Sequence, residues 1–199
     1  MQKGSQLMLF GKWDLSEVEV KNRGLKQVIS LKPMLTPTSM GRHEHHKLAK
    51  TELNVVERLV NNLMHFGKRY AKNTGRMGGK KHRAINIVET ALDIIHLKIG
   101  GNPVEFLVRA IENASPNEDT TRIGYGGVVY HVSVDISPLR KVDLALRFIS
   151  EGVRESTFSN PKSVEEVLAD EIIMAANKDI NSYAIKKKNE QERMAMSAR

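Results

Sequence analysis

The residues best suited by type to do chemistry lie in a glycine- and lysine-rich loop from Thr74 to Arg83. Glycines followed by a lysine cradle nucleotide phosphates in P-loop proteins. Here the glycine-to-lysine spacing is wrong, no serine or threonine follows the lysine, and a helix rather than a strand precedes the loop. Lys80, Lys81 and Arg83 instead repel one another near a helix N-terminus unless an anion is present. The loop therefore predicts contact with an extended polyanion rather than nucleotide hydrolysis.

A histidine-rich stretch, Arg42-His43-Glu44-His45-His46-Lys47, raises the question of a metal site. The HExxH zinc motif needs two histidines four residues apart around the glutamate, and the spacing here does not match it. The chain also has no cysteine that could complete a mixed site. We interpret the stretch as a solvated cationic loop in which Arg42 and Lys47 face phosphate, and we predict neither a metal nor a cofactor.

Catalytic constellations are not evident elsewhere in the sequence. The serines and histidines lie in predicted caps and loops, and they form no Ser-His-Asp arrangement. Glu89 and Asp93 share one face of a predicted helix, but no partner converges on them in the sequence. A solvated helix edge is the simpler interpretation of this pair. We therefore predict that the protein is not an enzyme.

The composition points to an anionic partner. Lys and Arg number 31 against 23 Asp and Glu, so the formal charge is +8, and the sequence pI is about 9.7. Nucleic acid is the commonest partner of a cytosolic protein with this balance. No apolar run approaches the ~20 residues that span a bilayer. The first residues, Met1–Gly4, are not followed by the apolar core of a signal peptide. We expect a cytoplasmic protein with no membrane contact.

Apolar residues recur three and four apart over most of the chain, which is typical of amphipathic helices. The first such pattern begins at Glu52 and fades through Ala71. Arg58 lies off its apolar stripe, so we expect it to point toward phosphates, as we do Lys68 and Arg69 at the far end. The stripe consists of Val56, Leu59, Val60, Leu63 and Phe66.

Five further helices follow from the same pattern. The second runs over 81–99 with a wide apolar face, including Ile99, that suits the centre of a bundle. The third and fourth are expected from Pro103 to about 114 and from Pro138 to about 155. A capping box at Ser163 opens the fifth. The tail from Asn181, with Lys186, Lys187 and Lys188, is helical by propensity but has a thin apolar stripe, so it needs a packing partner.

One stretch, at about 118–136, changes to a period of two. Val128, Tyr130, Val132, Val134 and Ile136 fall on one side, and Val129, His131, Ser133 and Asp135 on the other, which is the pattern of a β-strand. Gly124-Tyr125-Gly126-Gly127 precedes it and supplies turn residues, so a β-hairpin is predicted. Ser137-Pro138 then caps the next helix, which carries Arg140 and Lys141. Tyr125 and Tyr130 could stack on a base or pack across the hairpin.

Together these elements predict a mainly α protein, a bundle of about six helices with one protruding β-hairpin and an irregular N-terminal arm. The arm covers 1–51, where Pro33 and Pro37 prevent a long helix, and it packs on the core or on a partner. Residues 52–199 form the helical domain with its C-terminal helical tail. A chain of this length can bury one good core.

Several motifs resemble the small-subunit ribosomal protein seven family. They include Gly79-Lys80-Lys81 before an apolar helix, and the order of helix, hairpin and basic helix. Thr121-Arg122-Ile123-Gly124 and 134–141, Val-Asp-Ile-Ser-Pro-Leu-Arg-Lys, are similar to its archaeal and eukaryotic branch. The ending 181–188 and the early Leu9-Phe10-Gly11-Lys12-Trp13 are similar to that branch as well. The resemblance covers essentially the whole chain.

The resemblance implies a structural constituent of the small ribosomal subunit that acts in translation. Family members bind the 3′ major (head) domain of small-subunit rRNA and nucleate head assembly. Their hairpin lies near the exit-site tRNA and the mRNA exit path, beside neighbouring proteins of the head and platform. The residues expected to bind RNA are Arg42, Lys47, Arg58, Lys68, Arg69, Lys80, Lys81, Arg83, Arg122, Tyr125, Tyr130, Arg140, Lys141, Lys186, Lys187 and Lys188.

From the residues alone, two other functions stay open. A basic helical adaptor could fold its arms onto a protein partner. A nucleotide hydrolase is more distant, because the glycine-lysine loop fails the Walker pattern.

Overall fold

The computed structural model of the protein describes residues 7–64 and 77–199. The predicted end of the first helix, with Phe66, Lys68 and Arg69, lies outside these residues.

Six α-helices and one two-stranded antiparallel sheet make up the described part of the chain. The predicted fold class is therefore confirmed: mainly α, with one hairpin and an irregular N-terminal segment. The second and third helices have the predicted bounds. The helices are α1 Val55–Leu63, α2 Lys81–Ile99, α3 Pro103–Ala114, α4 Pro138–Thr157, α5 Val164–Ala176 and α6 Tyr183–Ser197, and the strands are β1 Glu118–Tyr125 and β2 Val128–Asp135.

The centre of the bundle is α5, which packs against α2, α3 and α4. Its Leu168 and Ile172 are buried, as are Leu92, Leu107 and Leu146 of the three surrounding helices. The prediction that the wide apolar face of α2 lies at the centre of the bundle is confirmed for Val88, Leu92 and Ile95, which are buried, and is wrong for Ile99. The last turn of α2 projects beyond the bundle, where Leu97 is 83% and Ile99 is 42% exposed.

Helix starts mostly follow the capping signals of the sequence. The side chain of Asn102 accepts a hydrogen bond from the Val104 amide. In the predicted capping box, the Glu166 amide donates to Ser163 Oγ and the Ser163 amide donates to Glu166 Oε2. Ser137 departs from the prediction, because its side chain makes no capping bond and only Pro138 at the first position marks that start.

The segment before residue 52 belongs to the core although it is mostly irregular. Leu9, Leu15, Leu25 and Ile29 are buried in the same apolar cluster as the helices. Lys12 Nζ lies 2.7 Å from Asp93 Oδ2 and 3.3 Å from Glu89 Oε1. Glu89 and Asp93 of α2, for which the sequence indicated no partner, therefore form an ion pair with Lys12 of the arm.

The C-terminal tail obtains the packing partner that its thin stripe requires. Helix α6 packs against α4 and β1. The carboxylate of Glu171, only 3% exposed, accepts hydrogen bonds from Ser182 Oγ at 2.8 Å and from the Ala184 amide at 3.0 Å. Gly152 leaves room for Tyr183, because a Cβ there would lie 2.8 Å from the Tyr183 Cβ. A buried acceptor and a close helix approach therefore fix the start of α6.

Asp170 joins α5 to two lysines and gives the fold a pH-dependent contribution. Lys98 Nζ lies 2.5 Å from its Oδ1, and Lys162 Nζ lies 3.0 Å from its Oδ2. Burial raises the pKa of Asp170, but the hydrogen bonds and charges of the two lysines outweigh that effect and hold the pKa below its ordinary 3.8.

We expect Asp170→Asn to lower the free energy of unfolding at pH 7. Because the folded pKa lies below the unfolded one, the carboxylate stabilises the fold above pH 3.8 and loses this effect as the pH falls through the folded value. Urea denaturation at neutral and acidic pH measures the difference between variant and wild type. Glu17→Gln, at an exposed arm residue, is the control. A pH-independent difference for Asp170→Asn would contradict the prediction.

Among the helices of residues 7–64 and 77–199, none has the length and apolar content needed to cross a membrane.

Candidate nucleic-acid interface

The hairpin presents one apolar face to solvent. In its register, Tyr125 pairs with Val128 and Ile123 pairs with Tyr130, so these four side chains share a face. Tyr125 is 81% exposed and Tyr130 is 54% exposed. The two tyrosines therefore project from the body, and they lie on the same face as Ile123 and Val128.

The opposite face of the hairpin is mostly polar, with Val129 as its exposed apolar residue, and it is held at its base by α6. Arg122 pairs with His131 across the strands and is exposed. Near the base, Arg199 forms an ion pair with Glu118, and the Asn117 amide donates to Glu192 Oε1 at 2.9 Å. The hairpin is thus anchored at its root and free at its tip.

The cations at the hairpin root are engaged within the protein. Arg140 Nη2 lies 3.2 Å from Asp119 Oδ2, and Lys141 Nζ donates to Asn117 Oδ1 at 2.9 Å. Lys188 Nζ donates to the Asn113 carbonyl at 2.8 Å, and its burial lowers the pKa of the ammonium group. A phosphate at the root would compete with these acceptors.

The tail cations differ from one another. Lys187 Nζ lies 2.7 Å from Glu190 Oε2, and this hydrogen bond raises the lysine pKa. Lys186 is exposed and has no ion pair with any described residue. Of the three adjacent lysines, Lys186 is therefore the one whose ammonium is available to an external anion.

Arg58 corrects an expectation from the sequence. Its side chain is 4% exposed, with Nη1 donating to the Val28 carbonyl at 3.1 Å and Nη2 donating to Asp143 Oδ1 at 2.9 Å. Lys50 Nζ approaches the other carboxylate oxygen at 2.6 Å. Helix α1 buries seven of its nine residues, because the arm covers the face that the helical pattern assigns to solvent. Arg58 holds the arm and α4 together and does not point toward phosphates.

Glu57, next to Arg58, is a site residue that the sequence did not indicate. Its side chain is 1% exposed. Its Oε1 accepts hydrogen bonds from Lys81 Nζ at 2.6 Å, from the Ser39 amide at 2.8 Å and from Ser39 Oγ at 2.9 Å. Three separate segments, the arm, α1 and the start of α2, therefore meet at one carboxylate. Lys81 forms an ion pair with this buried carboxylate. The positive charge that is left for a partner at the start of α2 is therefore that of Lys80 and Arg83.

Four cations around this junction are exposed and have no carboxylate partner among the described residues. Lys80 and Arg83 flank Lys81 at the start of α2, and Arg42 and Lys47 lie in the arm just after Ser39. We call these four residues the cationic surface. Unpaired cations beside a positive helix end attract an anion.

The histidine-rich stretch forms no metal site within the described residues, where no three metal-ligating side chains converge. Residues Arg42–His45 make one turn of 3₁₀ helix. His43 Nδ1 lies 3.3 Å from Ser39 Oγ, and its Nε2 lies 2.9 Å from Glu44 Oε1. The stretch thus connects to the Glu57 junction through Ser39.

The sequence matches a known protein family over most of its length. The model of the family described as ribosomal protein S7p/S5e matches residues 25–199. The chain belongs to this ribosomal protein family. Members of the S7p/S5e family are structural components of the ribosome, so the prediction that the protein is not an enzyme is confirmed.

Archaeal relatives share nearly the whole length. A protein of Cenarchaeum symbiosum is 59% identical over 199 residues and covers all of both chains. Those of Methanothermobacter thermautotrophicus and Methanosphaera stadtmanae are 49% and 47% identical, covering 96% of this chain and 98% and 97% of their own. All three are named small ribosomal subunit protein uS7. The predicted ribosomal resemblance, including its archaeal character, is confirmed.

Proposed function

We propose that this S7p/S5e protein is a small-subunit constituent that binds the 3′ major (head) domain of small-subunit rRNA and nucleates head assembly in the cytoplasm. The observation that carries the proposal is the cationic surface, whose Lys80 and Arg83 lie at the start of α2 without a carboxylate partner in the described part of the chain. The binding domain would be residues 52–199. The arm, residues 1–51, would add Arg42 and Lys47.

The chemistry of these side chains suits a folded RNA. Lysine supplies a compact charge, and arginine can fork onto two phosphate oxygens. A helical RNA displays phosphates and 2′-hydroxyls rather than readable base edges, so recognition depends mainly on its shape. The junction at Glu57 helps, because it joins the arm that carries Arg42 and Lys47 to the start of α2, which carries Lys80 and Arg83.

The hairpin supports a second part of the proposal. Its exposed apolar face suits a neighbouring small-subunit protein of the head or platform, because solvent-exposed apolar patches mark interaction sites. Tyr125 at the tip could stack on an RNA base, which fits a position near the exit-site tRNA and the mRNA exit path. The same apolar face is the observation that favours the rival adaptor function.

A gel-shift experiment separates the two functions. We expect the purified protein to shift a transcript of the rRNA head domain at sub-micromolar concentration in moderate salt, with weaker binding as salt increases. An unrelated structured RNA of equal length should compete poorly. Equal competition by that RNA would indicate a generic polyanion binder. No shift at low salt would leave the adaptor function as the better explanation.

The hairpin can be tested in the same assay. Tyr125→Ser with Tyr130→Ser should leave the head-domain shift within about twofold, because the cationic surface is unchanged. The variant should reduce incorporation of the protein into small subunits that contain the platform proteins. Lost head-domain binding in this variant would contradict the division of roles between body and hairpin.

A further inference from the structure

The outer edge of β2 has backbone groups that the function proposed above does not use. At the root of the hairpin, the Ile136 amide donates to the Asn117 carbonyl at 3.0 Å, so these two residues form a hydrogen-bonded pair. Hydrogen-bonded and outward-facing pairs alternate along an antiparallel ladder. Nearer the tip, the Ser133 amide accordingly points away from β1, where it donates to the Ala198 carbonyl at 3.4 Å.

Val129 and His131 are the outward-facing residues of β2 between this contact and the turn. Their amides and carbonyls point away from β1, and neither residue has a backbone bond to another element in the described part of the chain. Residues 128–132 of β2 are exposed. The edge therefore offers the amides and carbonyls of both residues in one line, next to the place where Ala198 already bonds to it.

The sequence of this edge does not prevent a further strand from pairing with it. Natural sheets protect their free edges with lysine, proline, bulges or a covering element. Residues 128–132 are Val-Val-Tyr-His-Val, with neither lysine nor proline, and their register with β1 is continuous. β-Branched and aromatic residues of this kind favour strands. The outer edge of β2 is therefore open to strand addition.

The outer edge of β1 suits a further strand less well. Its outward-facing residues are Thr120, Arg122 and Gly124. The Thr120 amide already donates to Asp119 Oδ1 at 2.9 Å. Glycine weakens a strand, and the charge of Arg122 would oppose a second copy of a chain whose formal charge is +8. Pairing between two hairpins therefore favours β2.

We propose that two copies of the free protein pair through the outer edges of β2 and join their hairpins into one antiparallel sheet. A two-fold axis passes between the two copies of Tyr130. Val129 of each copy then lies opposite His131 of the other, and each such pair exchanges its amide and carbonyl hydrogen bonds. The two tyrosines form a non-hydrogen-bonded pair, and Val128 of each copy lies opposite Val132 of the other.

The chemistry of this edge is complementary to itself. Cross-strand pairs of aromatic or β-branched residues stabilise antiparallel sheets, and the pairing places Tyr130 opposite Tyr130 and valine opposite valine on one face. On the other face, Val129 lies opposite His131, so like charges do not face each other directly. Where the pairing reaches Ala198, the second copy continues with Gly127, which has no side chain.

The dimer is weak and depends on protein concentration. Only a few residues of each copy take part, compared with about 20 to 30 a side in a standard interface. The two copies also repel each other, because each has a formal charge of +8. Charges more than about 10 Å apart are largely screened at 0.1 M salt. Dimer formation should therefore increase with salt, whereas RNA binding decreases with it.

Disulfide trapping tests the dimer, because the chain has no native cysteine. The Cα atoms of a non-hydrogen-bonded pair lie about 4.5 Å apart, within the range of about 4.4 to 6.8 Å that a disulfide spans. In the full-length protein with oxidised glutathione, we expect Tyr130→Cys to form a linked dimer about tenfold faster than Tyr125→Cys. Tyr125 is on the same face and is more exposed, but it lies on β1, away from the axis.

Two further cysteine variants test the register. Val132→Cys alone should form little linked dimer, because the two copies of this residue lie on opposite sides of the axis. Mixed with a tagged Val128→Cys protein, it should form a linked heterodimer. Packing of the two apolar faces against each other would instead link Tyr125→Cys as readily as Tyr130→Cys.

Proline separates backbone pairing from side-chain packing. In the Tyr130→Cys background, Val129→Pro removes an outward amide and no bond within the hairpin, so trapping should fall about tenfold. Gly124→Pro makes the same change on β1 and is the matched control, which should leave trapping unchanged. If Val129→Pro disturbs the hairpin, Val129→Lys places a charge on the same edge and should also reduce trapping.

Equal trapping of Tyr130→Cys and Tyr125→Cys, or trapping that neither Val129 variant reduces, would overturn the inference. So would a wild-type protein that sediments as a monomer at its highest soluble concentration in high salt. The proposed function fails separately, because Val129→Pro leaves the cationic surface intact and should keep binding of the head-domain transcript.

Discussion

Replacing Arg58 by alanine should lower the free energy of unfolding by about 3 kcal/mol, at the lower end of the range for breaking a buried ion pair. The guanidinium is 4% exposed, and it donates to the Val28 carbonyl as well as to Asp143. The substitution removes the side-chain donor to the Val28 carbonyl. It also removes one of the two cations that pair with Asp143, which keeps its ion pair with Lys50. Urea denaturation at pH 7 measures the loss.

Two variants make this result interpretable. Arg147→Ala breaks an exposed pair with Glu151 one helical turn away and should cost only about 0.3 to 0.5 kcal/mol. Arg58→Lys keeps the positive charge but cannot donate to Val28 and Asp143 from two separate nitrogens. Its decrease in the free energy of unfolding should therefore lie between those of the two alanine variants. Equal losses for Arg58→Ala and Arg147→Ala would show that the buried arginine does not join the arm to the bundle.

Removing the two cations at the start of α2 should have the largest effect on RNA binding. For Lys80→Ala with Arg83→Ala, we expect the slope of log Kobs against log salt to fall by about 1.4 to 1.8, which is roughly 0.7 to 0.9 for each phosphate contact. Neither cation has an ion pair among the described residues, so their charge is free to displace counterions. Titrations of the head-domain transcript at several salt concentrations give the slope.

The controls distinguish free from paired charge. Lys98→Ala with Lys162→Ala removes the same charge from residues that pair with Asp170, so the slope should be nearly unchanged. Lys81→Ala should also keep the slope, but it should destabilise the fold because Glu57 loses its cation. An unchanged slope in the Lys80 and Arg83 double variant would remove the start of α2 from the interface.

The hairpin could be predicted from the local sequence pattern alone. Alternation and the glycine-rich turn were sufficient for its existence and its bounds, since both are properties of adjacent residues. The sequence left open whether Tyr125 and Tyr130 stack outward or pack across the strands. Their exposure follows from the hairpin lying beyond the bundle, with only its root held by α6.

Local sequence signals were enough to predict most helices and the hairpin of this protein. The helix over residues 81–99, the start at Asn102-Pro103 and the capping box at Ser163 all formed as predicted. Periodicity and capping act within a few residues, so they can be read without knowledge of the fold. The motifs that resemble the ribosomal family were also readable, because each is a contiguous string.

Which charged side chains are free for a partner depends on contacts between segments that are distant in the sequence. Glu57 and Arg58 lie off the apolar stripe of α1, and they are buried because the arm covers that face. Lys81 pairs across 24 residues with Glu57, whereas its neighbour Lys80 has no such partner in the described chain. Contacts between distant segments set these differences, and the helical period of α1 contains no information about the arm that packs over it.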